Sequence, residues 1–134
     1  DHRVLPGFVR KILGGEPLAV YGSGGQTRTF TYVADAIVGT LLVLAKGEPG
    51  EAYNVGNPKP EIGIGALANL LEKIALRDSE QFQVQYVTAP VEYKNEPQRR
   101  CPDVSKLGAL GYVPEIGLEE GLSRFIDWAR VAYR

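Results

Sequence analysis

The chain has 134 residues, 44% of them apolar, and a formal net charge of −1, enough for one domain with its own core. That near-neutral balance excludes recruitment of nucleic acid or an acidic membrane by bulk charge. The single cysteine, Cys101, excludes an internal disulfide and points to a reducing, cytoplasmic setting. No apolar run approaches the roughly 20 residues needed to span a bilayer. The chain starts at Asp1 and contains no methionine, so we read it as a fragment, a processed product or an incomplete record.

Sixteen glycines and nine prolines punctuate the chain into short elements. Val4, Phe8, Ile12 and Leu13 recur at helical spacing, which predicts a helix over 4–13 ended by Gly14-Gly15. Leu18 to Tyr21 reads as a strand and Gly22 to Gly25 as a turn. Thr27 to Tyr32 reads as a second strand, rich in β-branched and aromatic residues. Val33, Ile37, Leu41 and Leu44 form one stripe of a helix over 33–45. Ala52 to Val55 reads as a strand and Gly56 to Pro58 as a turn.

The span 66–76 reads as an amphipathic helix with Leu67, Leu70, Leu71 and Ile74 inward. Phe82 to Val87 reads as a strand, and 88–102, with three prolines, as an ordered loop. Ser105 to Leu110 is a helical turn closed by Gly111. In the last helix Leu118, Leu122, Phe125, Ile126, Ala129 and Tyr133 share one face, while Glu119, Glu120, Arg124 and Asp127 face water. The expected class is α/β, in the form of an α+β accessory lobe: short strands, three to four helices, and no full doubly wound sheet.

Few segments carry chemistry. Gly63-Ile-Gly65-Ala-Leu-Ala68 fits a dinucleotide pattern, but the preceding Asn57-Pro-Lys-Pro60 cannot be the central strand that such a turn needs. Gly22 to Gly25 lacks the Lys-Ser/Thr of a phosphate-binding loop. His2 is the only histidine, which argues against a Ser-His-Asp triad or a multi-histidine metal site. Cys101 follows two arginines but has no identifiable base. Glu119 and Glu120 read as solvated carboxylates.

The arginines stand out. Arg28 sits among apolar and β-branched neighbours, where a cation is costly to bury without an anion. Arg100 lies in the proline-rich loop. Guanidinium forks suit phosphate oxygens, so the two could clamp a diphosphate. Equally, each could pair with a local carboxylate, Asp35 or Asp103.

Three stretches together carry a resemblance. They are Leu18-Ala-Val-Tyr-Gly-Ser-Gly-Gly-Gln-Thr-Arg-Thr-Phe-Thr-Tyr-Val-Ala-Asp35, Asn54-Val-Gly-Asn-Pro58, and Pro97-Gln-Arg-Arg-Cys-Pro-Asp-Val-Ser-Lys106 with the following Leu110 to Pro114 and Leu118 to Leu122. In order and spacing this run resembles the C-terminal part of extended short-chain dehydrogenases/reductases, the NAD-dependent nucleotide-sugar epimerase/dehydratase family. It is most similar to the UDP-glucuronate decarboxylase (UDP-xylose synthase) subgroup. The resemblance implies a two-part parent enzyme whose N-terminal Rossmann domain holds NAD and carries Tyr-x-x-x-Lys. No tyrosine of this chain has lysine four residues on.

The resemblance further implies that this chain grips the nucleoside diphosphate of a UDP-sugar or related nucleotide sugar and is inactive alone. Residue by residue, it makes Arg28 a contact to the diphosphate or ribose. It sets Ala19, Val20 and Tyr21 beside the base through backbone contacts. It gives Arg100 a substrate-facing and, in a decarboxylase, catalytic role. Arg3 falls near the nicotinamide cofactor, although no NAD is expected to bind this piece tightly. Asp35 is expected to be structural. The sequence departs from the pattern at Gly7, where many relatives carry Asn, and at Gly63 and Gly65, where a capping Thr or Ser and bulkier residues are expected. The missing half implies an exposed apolar surface and hence a homo-oligomer. The alternatives are a noncatalytic nucleotide-sugar-binding or assembly module of the same family, or an unrelated small enzyme using Arg100 and Cys101.

Overall fold

The computed structural model describes residues 3–75, 83–93 and 96–133. Helix α1, Val4–Leu13, buries Phe8, Val9 and Ile12. Pro6 lies in its first turn, where the backbone has no intrahelical acceptor and the missing N–H removes nothing. The helix ends as its glycines dictate. Gly15 takes the left-handed conformation (φ 65°), its N–H reaches the Ile12 carbonyl at 3.2 Å, and the Glu16 N–H reaches Lys11 at 2.9 Å.

Strand β1, Leu18–Tyr21, alternates as a half-buried strand should, with Leu18 and Val20 fully enclosed. It pairs in parallel with β4, Val84–Val87, from Leu18 opposite Val84 to Tyr21 opposite Val87. Parallel partners need a long crossover, and here the intervening chain includes two helices. These are α2, Val33–Lys46, and α3, Ile64–Ala75. The core forms where α1, β1, α3 and the last helix α5, Leu118–Ala132, meet. Leu18, Leu67, Leu71, Ile126, Val9 and Val20 are its largest fully buried members, each worth about 1.5–3 kcal/mol of burial. The inward residues expected on α3 are buried, with Leu70 partly so.

A second sheet has three strands of two residues each, in the order β3–β2–β5. They are β2, Thr27–Arg28; β3, Ile62–Gly63; and β5, Arg99–Arg100. A 3₁₀ turn, Val91–Tyr93, and the short helix α4, Ser105–Gly108, complete the elements. The mixed α/β class, with four long helices and short strands, agrees with the reading of the sequence.

Several boundaries differ. The strand expected over Thr27 to Tyr32 stops at Arg28, because pairing with β3 and β5 covers only two residues. Ala52 to Val55 joins no sheet. The 88–102 loop contains the 3₁₀ turn and β5. Tyr133, expected inward, is exposed. Leu76 and Phe82, expected in a helix and a strand, lie outside the described residues, as do Asp1 and His2.

The α2 stripe is the largest difference. Val33, Ile37, Val38, Leu41 and Leu44 are between 50% and 83% exposed. The helix instead buries Asp35 and Gly39. A Cβ on Gly39 would stand 2.8 Å from Val55 and 3.0 Å from the Tyr112 ring, so glycine is what lets this face seat closely. Both Asp35 carboxylate oxygens accept backbone N–H bonds, from Glu115 at 3.1 Å and Ile116 at 3.0 Å. That fits its expected structural role. No described helix is long and apolar enough to cross a membrane.

Removing the Asp35 carboxylate strands two amide donors at a buried contact. We therefore expect Asp35→Ala to destabilise the chain by about 1–3 kcal/mol in urea unfolding.

Candidate functional site

The site begins with β2. Its two residues point to opposite faces of the small sheet, and register partners on neighbouring strands share a face. Thr27 lies opposite Arg99 and Arg28 opposite Arg100. Each face therefore gathers its own charges. On one, Glu61 accepts the Thr27 hydroxyl and the Arg99 guanidinium, the latter at 3.1 Å from Nε and 2.8 Å from Nη2. The Thr27 hydroxyl first, and then Arg99, hold the Glu61 carboxyl below the usual carboxylate range.

The other face brings Arg28 and Arg100 together. Arg28 has 15% of its side chain exposed, and its Nη1 donates to the Thr27 carbonyl at 2.8 Å, which fixes the plane of the guanidinium. Its Nη2 donates to Glu96 Oε2 at 3.1 Å. Arg100 Nη2 stands 3.7 Å from the same oxygen, with 64% of its side chain exposed. Two cations placed side by side need a shared anion, and Glu96 supplies it. The alternative partners expected from sequence are engaged elsewhere. Asp35 holds the Glu115 and Ile116 amides, and Asp103 Oδ1 accepts from the Ser105 N–H at 2.9 Å. That backbone bond, and then the Ser105 side chain, lower the Asp103 carboxyl. The sequence reading does not single out Glu96, although its position four residues before Arg100 is a signal.

Both arginines line an open cleft of about 490 Å³. Thr29, Thr31, Asn54, Val55 and Gly56 form one part of its wall, and Cys101, Pro102 and Asp103 another. The Asn54 to Pro58 segment docks there through specific bonds. Asn54 Nδ2 donates to the Asp103 carbonyl at 2.9 Å, and the Asn57 N–H donates to Thr31 Oγ1 at 2.8 Å. A Cβ on Gly56 would meet Pro102 at 2.9 Å, so a larger residue would push the two walls apart.

The other expected site residues sit away from this cleft wall. Ala19, Val20 and Tyr21 lie on β1 and do not line the cleft. Val20 is fully buried in the core, backbone included, so the contact expected of it is not available in this fold, while the Tyr21 ring packs on Tyr93 with centroids 4.8 Å apart. Arg3 precedes α1 and does not line the cleft either. Cys101 lines it, with its thiol 3.6 Å from the Pro58 carbonyl. Among the described residues no group of His, Cys, Asp or Glu could hold a metal ion. Glu119 and Glu120 are exposed, as expected, and Glu120 pairs with Arg124.

The glycine pattern at the start of α3 has a packing role. Gly24 approaches so closely that its Cβ would lie 2.9 Å from the Gly65 nitrogen, and the Gly65 N–H donates to the Gly24 carbonyl at 3.0 Å. A Cβ on Gly65 would stand 2.8 Å from the Tyr86 hydroxyl. That amide is already satisfied and its surroundings are filled, so the turn is no seat for a dinucleotide pyrophosphate.

Known proteins resemble this chain in sequence and in fold. Residues 1–56 match the NAD dependent epimerase/dehydratase family. Over 131 residues the chain is 38% identical to UDP-glucuronic acid decarboxylase 1 of Xenopus tropicalis, covering 97% of this chain and 29% of that protein. It is 33% identical to dTDP-D-glucose 4,6-dehydratase of Mus musculus, covering 96% of this chain and 36% of that one. The fold superposes on UDP-glucuronic acid 4-epimerase from Bacillus cereus, solved with UDP-glucuronic acid and NAD, with a TM-score of 0.84 at 29% identity. That match covers 98% of this chain and 41% of that one. The chain thus spans well under half the length of these relatives. Over nearly its whole length the chain is similar to nucleotide-sugar members of the NAD-dependent epimerase/dehydratase family, the extended short-chain dehydrogenases/reductases.

Proposed function

We propose that this chain is the substrate-gripping lobe of an NAD-dependent nucleotide-sugar enzyme, and that Arg28 and Arg100 clamp the diphosphate of a UDP-sugar. One observation carries the reading: the two arginines are register partners on β2 and β5, share one carboxylate oxygen and line one cleft. Guanidinium groups offer paired donors that match phosphate oxygens. Of decarboxylation, dehydration and epimerisation, we favour decarboxylation of a UDP-uronic acid. In that reaction Arg100, the more exposed of the pair, faces the sugar. The β1 backbone at Ala19 and Tyr21 borders the base, and Arg3 approaches the cofactor side.

NAD supplies hydride transfer when bound. The described residues do not form its pyrophosphate seat, so this chain's part is to bind and orient the sugar nucleotide. A Rossmann domain elsewhere in a longer polypeptide would hold the cofactor and cover the exposed α2 stripe. An apolar surface of that kind, left open, favours self-association.

Calorimetric titration with UDP, dTDP and NAD tests the assignment. We expect weak binding of UDP in preference to NAD, reduced at least about tenfold by Arg28→Ala, since one charge-assisted hydrogen bond contributes about 1.5–3 kcal/mol. UDP binding unaffected by Arg28→Ala would refute the clamp. Light scattering across a concentration series is expected to give a dimer or larger species that Leu41→Lys/Leu44→Lys converts to monomer. A strictly monomeric unmodified chain would contradict the self-association.

A further inference from the structure

Glu96 has a placement that an ordinary surface carboxylate lacks. Its Oε2 lies 3.1 Å from Arg28 Nη2 and 3.7 Å from Arg100 Nη2, so one oxygen touches both arms of the clamp. The backbone on both sides is held. The Glu96 N–H donates to the Tyr93 carbonyl at 3.2 Å, and Tyr93 packs against Tyr21 of β1. Pro97 follows, which restricts Glu96 to extended conformations. Two residues on, the Gln98 carbonyl accepts the Thr27 N–H at 2.8 Å, tying this segment to β2. The carboxylate is 41% exposed, open enough to leave when a competing anion arrives.

We infer that Glu96 sets the anion selectivity of the arginine pair: it fills the seat between Arg28 and Arg100 in the ligand-free chain and yields it only to an anion that engages both guanidinium groups. The inference rests on the diphosphate reading above and adds a residue to it. An incoming ligand must replace what Glu96 gives to two cations. A diphosphate spans both and recovers both contacts. A monophosphate that reaches one arginine leaves the other with Glu96 and meets the repulsion of the retained carboxylate. Arg28 keeps its aim after the exchange, because its Nη1 remains on the Thr27 carbonyl. Asp103, the carboxylate in the cleft wall, stays on the Ser105 N–H.

The test is a titration of the ¹⁵N-labelled chain with UDP and UMP, followed by NMR, for the unmodified protein and for Glu96→Gln, Glu96→Asp and Arg28→Ala. Glu96→Gln should tighten UDP about three- to tenfold and UMP by more, so that the preference for UDP over UMP falls about threefold or further. Glu96→Asp, which keeps the charge, should preserve most of that preference. A merely structural Glu96 would weaken both ligands equally in Glu96→Gln and lower the melting temperature. That result overturns the inference, as does an unchanged UDP-to-UMP ratio. If Arg28→Ala weakens UDP while Glu96→Gln changes nothing, the clamp stands and this inference alone fails. If UDP leaves every spectrum unchanged, both fall.

Discussion

Two guanidinium groups held side by side repel each other, and the rest of the site follows from how that repulsion is met. The register of β2 against β5 places Arg28 beside Arg100. In water the penalty would be small, but Arg28 is mostly enclosed and screening there is weaker. An anion therefore has to sit between them. Glu96 does so without a ligand, and a diphosphate has the charge and reach to replace it. On the opposite face of the same sheet a single cation meets its anion, with Glu61 held by Thr27 and Arg99 together.

So small a sheet cannot hold this geometry by its own hydrogen bonds. It depends on the core formed by α1, β1, α3 and α5. The connection runs through Gly24 and Gly65, whose close approach fixes the turn after β1 against the start of α3, immediately beside β3. On the far side, Asn54 and Asn57 hold the cleft wall, and Gly56 lets that wall meet Pro102. Asp35 pins α2 to the 115–116 backbone, leaving the apolar side of that helix turned outward.

Much of this was legible in the sequence where the signal was local. The spacing of Val4, Phe8 and Ile12 with the following glycines gave α1 its limits, because the helix period and its stop signal both lie within the segment. Thr27 to Tyr32 was over-read for the opposite reason. Its composition suits a strand throughout, but the length of a strand is set by partners at 62–63 and 99–100. Periodicity also found α2, yet a stripe shows only that a helix has an apolar side. It does not say whether the covering surface lies within the same 134 residues. The convergence of Arg28 and Arg100 was one of two readings that the residue types left open. Glu96 was not, because Asp35 was the nearer carboxylate in sequence to Arg28, and its commitment to amides 80 residues away is a fact of the fold alone.

The claim at the centre is that Arg28 and Arg100 act on one anion as a unit. A double-mutant cycle measures this directly, with UDP affinity determined for the unmodified chain, Arg28→Ala, Arg100→Ala and the double variant. A shared diphosphate predicts non-additive losses, with a coupling energy of about 0.5–3 kcal/mol and little further loss in the double variant. Strictly additive losses would mean that the two arginines meet the ligand independently, and would contradict the clamp.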